Sequence, residues 1–284
     1  MIQDWIAEYK PKTAEDYKQV LREIMQQLAL AGLSRGGFFD KSAFYGGTAL
    51  RIFYGLDRFS EDLDFSLLQK NQDFHLEPYL KIIEDEFLAQ GIKVSIKTKK
   101  KSVESDIESA FLKSETLWSE LILDAVVPQL GLRQNIGVKI KIEIDTQPPL
   151  GFETEEKLLL QPYSFYVKVF KIEDLFAGKM HALLFRKWGK NVKGRDWYDM
   201  EWYIRKKVPL NLKHFLIRAK DSGDWNQETM TEPEFRELLR NRIDSVNFEM
   251  AKEDVKRFIA NPEPLSIWSK DYFQDLVQHL KINL

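Results

Sequence analysis

Residues 44–67 read FYGGTALRIFYGLDRFSEDLDFSL, and the alternation that closes this run constrains the fold most. Leu63, Phe65 and Leu67 alternate with Asp62, Asp64 and Ser66, the period-two pattern of a half-buried strand with one polar face. Residues two apart on a strand share a face, so Asp62 and Asp64 point the same way. Two carboxylates that close repel each other by about 4 kcal/mol at an effective dielectric near 20, so a cation is expected to offset them. A divalent metal holding a nucleotide is the sharpest candidate. The plainer reading is a solvated strand face, since charged residues are mostly exposed.

A second strand with the same logic is GVKIKIEIDTQPP, in which Val138, Ile140, Ile142 and Ile144 form one face and Lys139, Lys141, Glu143 and Asp145 the other. Pro148 and Pro149 stop it. Asp145 thus supplies a third carboxylate, with Glu143 on the same face as its competitor. Two metals that align an attacking hydroxyl and a triphosphate need about this many oxygen ligands. Upstream, Gly46 and Gly47 permit backbone geometry closed to other residues, and amides leading into a helix favour phosphate. Thr48 adds a hydroxyl there, or serves as the cap of the helix that follows.

The rest of the chain frames this core. Residues 13–30 have helical periodicity with Thr13 as N-cap, residues 78–90 read as a second helix, and GIKVSIKTKKK as another strand. The lysines at 99–101 read as a solvated loop. Beyond about residue 165 the pattern turns helical, in pieces punctuated by Pro209, Pro233, Pro262 and Pro264. The expected fold is α/β: a domain over residues 1–165 with a small mixed sheet, then a mainly helical region over 166–284 that closes the active cleft.

Composition excludes several chemistries. The chain has 284 residues and no cysteine, which removes disulfides, thiolate zinc sites and thiol nucleophiles. Its four histidines are scattered without metal-ligand spacing. The net charge of -2 gives no global reason to expect nucleic acid, so such binding must come from local patches. The polar start predicts no signal peptide, and no apolar run approaches membrane-spanning length. A cytoplasmic protein is expected.

Lys179 lies among small and apolar neighbours in FAGKMHALLF and shares a helix side with Arg186. It serves either as a point charge for a triphosphate oxygen or as a lysine that snorkels to water. Asp196 and Asp199 in GRDWYDM fall on one helix face. Asp196 also suits an N-cap, and Arg195 with Asp199 an ordinary i, i+4 ion pair. The stretch RKWGKNVKGRDWYDMEWYIRKK carries eight basic residues against three acidic ones, with Trp188, Trp197, Tyr198, Trp202 and Tyr203 interleaved. Such a mixture suits RNA, although most of these rings are expected in the core.

Gly-Gly-Thr, a short helix, RFSEDLDF and a later strand ending in a carboxylate resemble the nucleotidyltransferase superfamily of DNA polymerase beta-like folds. More closely, FYGGTALRIFYGLDRFSEDLDFSL and EDLFAGKMHALLFRKWGKNVKGRDWYDM are similar to the AbiEii-type toxin nucleotidyltransferases of bacterial toxin–antitoxin pairs. The resemblance spans about residues 40–200. It implies transfer of NMP from an NTP to an RNA acceptor, with tRNA as the implied acceptor and a cognate antitoxin as partner, often one carrying a DNA-binding winged helix. Asp62, Asp64 and Asp145 would hold magnesium, as a two-ion site. Gly46, Gly47 and Thr48 would cradle phosphates, and Lys179 would assist. Arg58 and Ser60 would position the nucleotide or brace the metal-bearing strand. Asp196, preferred over Asp199, would orient Lys179 or help activate the acceptor hydroxyl. The rival readings are a two-metal phosphodiesterase, which needs neither the glycines nor Lys179, and a non-catalytic RNA- or protein-binding module on the same scaffold.

Overall fold

The computed structural model describes residues 2–99, 116–123, 138–187 and 192–284. The chain divides into two compact units. The first comprises residues 1–49, 59–148 and 154–169, and the second residues 50–58, 149–153 and 170–284.

The first unit is built on a mixed sheet of seven strands: β1 (Ser42–Tyr45), β2 (Leu63–Leu67), β3 (Ser95–Lys99), β4 (Thr116–Leu123), β5 (Val138–Asp145), β6 (Thr154–Leu159) and β7 (Phe165–Phe170). Their spatial order is β3-β4-β5-β2-β1-β7-β6. At the centre β2 runs parallel to β5 and antiparallel to β1, while β1 runs parallel to β7. The alternation read from the sequence decides which face is dry. Leu63, Phe65, Ile140, Ile142, Ile144, Val167 and Val169 are all fully buried. Each such side chain contributes on the order of 1.5–3 kcal/mol by leaving water.

Three helices accompany the sheet in this unit: α1 (Ile2–Tyr9), α2 (Ala14–Arg35) and α4 (Glu77–Ala89). The Thr13 expectation holds, in a full capping box: Asp16 N–H donates to Thr13 Oγ1 at 3.1 Å and Thr13 N–H to Asp16 Oδ2 at 3.0 Å. Helix α2 is buried from Gln19 to Leu33, polar residues included, and packs closely on α4 where a side chain at Gly32 would strike the Ile83 backbone. One of those polar residues bears on function. Gln26 Nε2 donates to the carbonyls of Ser60 (3.1 Å) and Glu61 (3.0 Å), which fixes the segment entering β2. Helix α3 (Gly46–Tyr54) starts in the first unit and ends in the second.

The second unit holds α5 (Ile172–Phe185), α6 (Gly194–Arg205), α7 (Leu212–Asp221), α8 (Glu232–Asp244), α9 (Phe248–Lys256) and α10 (Lys270–His279). A parallel pair, β8 (Pro209–Asn211) with β9 (Lys281–Asn283), ties the end of the chain to the segment after α6. Most aromatics of α6 go to the core as expected, and Tyr198 is half-buried. Trp197, Trp202 and Tyr203 are buried, with Tyr203 stacked on Phe176 at 4.2 Å and Trp197 edge-on to Phe248 and Phe273. Trp188, Lys100 and Lys101 lie outside the described residues. Among the described residues no helix is long and apolar enough to cross a membrane.

Candidate active site

The first constellation lies on the polar face of the sheet in the first unit. Strand register carries it: Tyr45 is opposite Asp64, Asp64 opposite Glu143, and Ser66 opposite Asp145. Asp64, Glu143 and Asp145 therefore share one face of the sheet, while Asp62, which the sequence placed on the strand, lies just before β2; all four are half-buried. Glu143 rather than Asp145 is the register neighbour of Asp64, and it pairs with Lys141. Asp145 stands one pleat further along, at the strand end, where its Oδ1 accepts from Gln147 N–H at 3.0 Å.

Immediately after Tyr45 the chain turns into α3 through Gly46, whose φ of +82° favours glycine. Space demands glycine as well. A Cβ at Gly46 would overlap Asp64 Oδ2 and lie 3.2 Å from Asp64 Cγ. The glycine backbone at the start of α3 is thus packed against the Asp64 carboxylate, so a helix start and an acidic side chain meet at one point. Thr48 is fully buried and its hydroxyl donates to the Asp62 carbonyl. It joins the first turn of α3 to the entry of β2. The helix begins two residues before the expected Thr48 cap.

These carboxylates suit a hard divalent cation in donor type. Among the described residues, no three His, Asp or Glu side chains converge closely enough to hold a metal by themselves. The register gives the reason, because Asp145 stands beside Ser66 and not beside Asp64. Magnesium is commonly held by one or two carboxylates, with waters and substrate phosphates completing its six positions, so the donor set fits that ion without a three-carboxylate cage.

The second constellation belongs to the second unit. Arg58 is 2% exposed, and its Nε and Nη2 each donate to one carboxylate oxygen of Asp199 at 2.6 Å. Asp199 is fully buried on α6. Lys179, from α5, reaches Asp199 Oδ2 at 2.9 Å and Asp196 Oδ1 at 3.1 Å. Arg186 Nη1 lies 3.3 Å from Asp196 Oδ2. Three cations thus meet two carboxylates. Burial works to raise the Asp199 pKa, but Arg58 and Lys179 outweigh it and hold the carboxyl below its usual range. Burial likewise opposes the Arg58 charge, and Asp199 more than restores it.

This geometry replaces two ordinary explanations raised by the sequence. Asp196 is not the cap of α6. The helix begins at Gly194, whose N–H donates to Asp254 Oδ2 at 2.9 Å, leaving Asp196 in the first turn. Nor does Asp199 pair with Arg195, whose guanidinium lies over the Phe258 ring at 4.3 Å. Arg58 was expected to serve the nucleotide or the strand, and its pairing with a residue 141 positions later carried no local signal. Its neighbour Asp57 is also gripped by α6, through Tyr198 OH at 2.7 Å and Arg205 Nη2 at 3.1 Å. Ser60 takes part through its backbone carbonyl, as the Gln26 acceptor.

Solved structures share this fold. JHP933 from Helicobacter pylori matches with 17% identity and a TM-score of 0.51, over 92% of this chain and 90% of that one. A putative nucleotidyltransferase from H. pylori matches with 17% identity and a TM-score of 0.50, over 91% and 92%. MenT4, a nucleotidyltransferase toxin from Mycobacterium tuberculosis, matches with 17% identity and a TM-score of 0.51, over 98% and 87%. No curated protein sequence matches the chain. The model of the nucleotidyl transferase AbiEii toxin family, of the type IV toxin–antitoxin system, matches residues 28–278, and the chain belongs to that family of nucleotidyltransferases.

Proposed function

We propose that this nucleotidyltransferase moves NMP from an NTP to a hydroxyl of RNA, with tRNA as the acceptor, and acts as the toxin countered by a cognate antitoxin in the cytoplasm. The observation that carries the reading is the contact of Gly46 with Asp64. The start of α3 offers backbone amides to a phosphate, and the carboxylate beside it suits the metal that the same phosphate would carry.

Asp62 and Asp64, with Asp145 on the neighbouring strand, are assigned to magnesium, as a two-ion site. The metal, when bound, would polarise the phosphoryl oxygens and lower the pKa of the attacking hydroxyl. Gly46 and Gly47 approach the phosphates through their backbone. Thr48 keeps that turn and β2 in register through the Asp62 carbonyl. Gln26, through Ser60 and Glu61, holds the strand entry against the repulsion of the two acids. In the second unit Lys179 is held by Asp196 and Asp199, the form in which a lysine serves as a fixed point charge for an anion such as a triphosphate. Arg58 positions Asp199 and so acts through it.

Thermal unfolding with magnesium alone, each NTP alone and both together tests the reading. A transferase is stabilised most by metal and NTP together. Stabilisation by metal alone would favour a phosphodiesterase, and none at all a binding module.

A further inference from the structure

A second surface, within the second unit, has the chemistry of a nucleic-acid contact. A groove of about 480 Å3 lies between the end of α6, α10 and the start of β9. Arg205, Lys207, His279 and Lys281 line it, and Tyr272 supplies an aromatic wall. Its one carboxylate, Glu201, is occupied: Oε2 accepts from Trp268 Nε1 at 2.7 Å, and burial together with the Glu201 charge raises the pKa of the Tyr272 hydroxyl. Arg205 is shared with Asp57 at 3.1 Å and is 54% exposed. Among the described residues the exposed side chains of Lys207 and Lys281 have no ion-pair or hydrogen-bond partner.

The backbone under Lys207 is an independent observation. Helix α6 ends in a Schellman motif, with Val208 N–H donating to Tyr203 O at 3.1 Å and Lys207 N–H to Ile204 O at 2.9 Å. Lys207 therefore occupies the left-handed position, φ 56°, that glycine normally fills. Any residue with a Cβ is disfavoured there, and β-carbon strain at an exposed lysine gains nothing in packing. Strain of this kind clusters where a side chain is needed for function.

We infer that this groove binds the phosphate backbone of the RNA acceptor, with Lys207 and Lys281 on phosphates and Tyr272 as a stacking face. The inference rests on the RNA acceptor proposed above. Tyr272 is half-buried, and cations spaced around an aromatic ring that keeps one face open are how single-stranded nucleic acid is held without sequence readout.

The test is fluorescence anisotropy of a fluorescein-labelled tRNA in magnesium without NTP, over a series of salt concentrations. The proteins are wild type, Lys207→Gly and Lys207→Glu/Lys281→Glu, with melting temperatures measured alongside. Lys207→Gly relieves the backbone strain, so its melting temperature is at or above wild type, while tRNA binding weakens and the salt slope falls by about one. The double reversal weakens binding by about tenfold or more. A folded double variant that binds within about twofold of wild type overturns the groove and leaves an acidic protein surface as its occupant. Wild type that binds no RNA overturns it too, and removes the RNA acceptor with it; retained wild-type binding separates the two failures.

Discussion

Arg58 lays Nε and Nη2 against the two carboxylate oxygens of Asp199 at 2.6 Å, with neither side chain more than 2% exposed. This is the planar, two-point pairing that a lysine cannot reproduce. Removing one partner leaves a buried charge short of its complement. Asp199→Asn is expected to lower unfolding free energy by about 3–5 kcal/mol. Arg58→Lys should fall well short of wild type despite keeping the charge. Urea denaturation of the single and double variants gives the coupling, and independent, additive effects would contradict the pairing.

Gly46→Ala separates backbone strain from site disruption. Its φ of +82° makes any Cβ costly by about 1–2 kcal/mol, and that Cβ would also push on the Asp64 carboxylate. Gly223→Ala carries similar strain, at φ +77°, with open space around the added methyl. Gly46→Ala should lose at least as much stability as Gly223→Ala, and only Gly46→Ala should lose nucleotide transfer. Equal activity in the two would detach Gly46 from the chemistry.

Lys179 can be removed without stripping its partners of charge, because Asp199 retains Arg58 and Asp196 retains Arg186. Lys179→Met is therefore expected to melt close to wild type and to transfer about 10²–10³-fold more slowly. A large loss of melting temperature with unchanged transfer would make Lys179 structural.

β2, β5 and the start of α2 were legible because their signals are local, whereas β4, β6 and β7 were not read as strands. Leu63, Phe65 and Leu67 declare β2, and Thr13 with Asp16 declares the start of α2. Strand register was not legible. The pairing of Asp64 with Glu143 joins segments about eighty residues apart, and pleat alternation fixes faces but not neighbours. The start of α6 was hidden in the same way, since the carboxylate at Gly194 N–H belongs to Asp254, on another helix. Of the residues named for the site, Asp64 and Asp145 share one sheet face in the first unit, with Asp62 just ahead of β2. Lys179, Asp196 and Asp199 meet in the second unit, where Arg58 joins them. The local pattern gave no means of choosing Arg58 as the partner of Asp199.

Acid should weaken the second unit. Burial, helped by Arg218, holds His214 to a pKa of about 3, and neither ring nitrogen has a hydrogen-bond partner. His181 is also lowered to about 3, by burial, Arg218 and Arg186, although Asp224 at 3.2 Å pulls the other way. Near pH 6.5 the unfolded chain begins to take up protons that the folded one refuses. Stability is thus fully present above pH 6.5 and is lost as pH falls toward 3, by on the order of 2 kcal/mol per histidine at pH 5. Urea denaturation at pH 7.5 and 5.0 reads this, and His214→Phe should flatten the profile. An unchanged pH dependence in that variant would mean that His214 titrates normally.

The most direct measurement is transfer itself. The protein is incubated with total tRNA, magnesium and each α-labelled NTP in turn, beside the Asp62→Ala and Asp64→Ala variants. Label should enter tRNA from at least one NTP, require magnesium, and vanish in both variants. Intact tRNA without label from any of the four, with the wild-type protein folded, would contradict nucleotide transfer to tRNA.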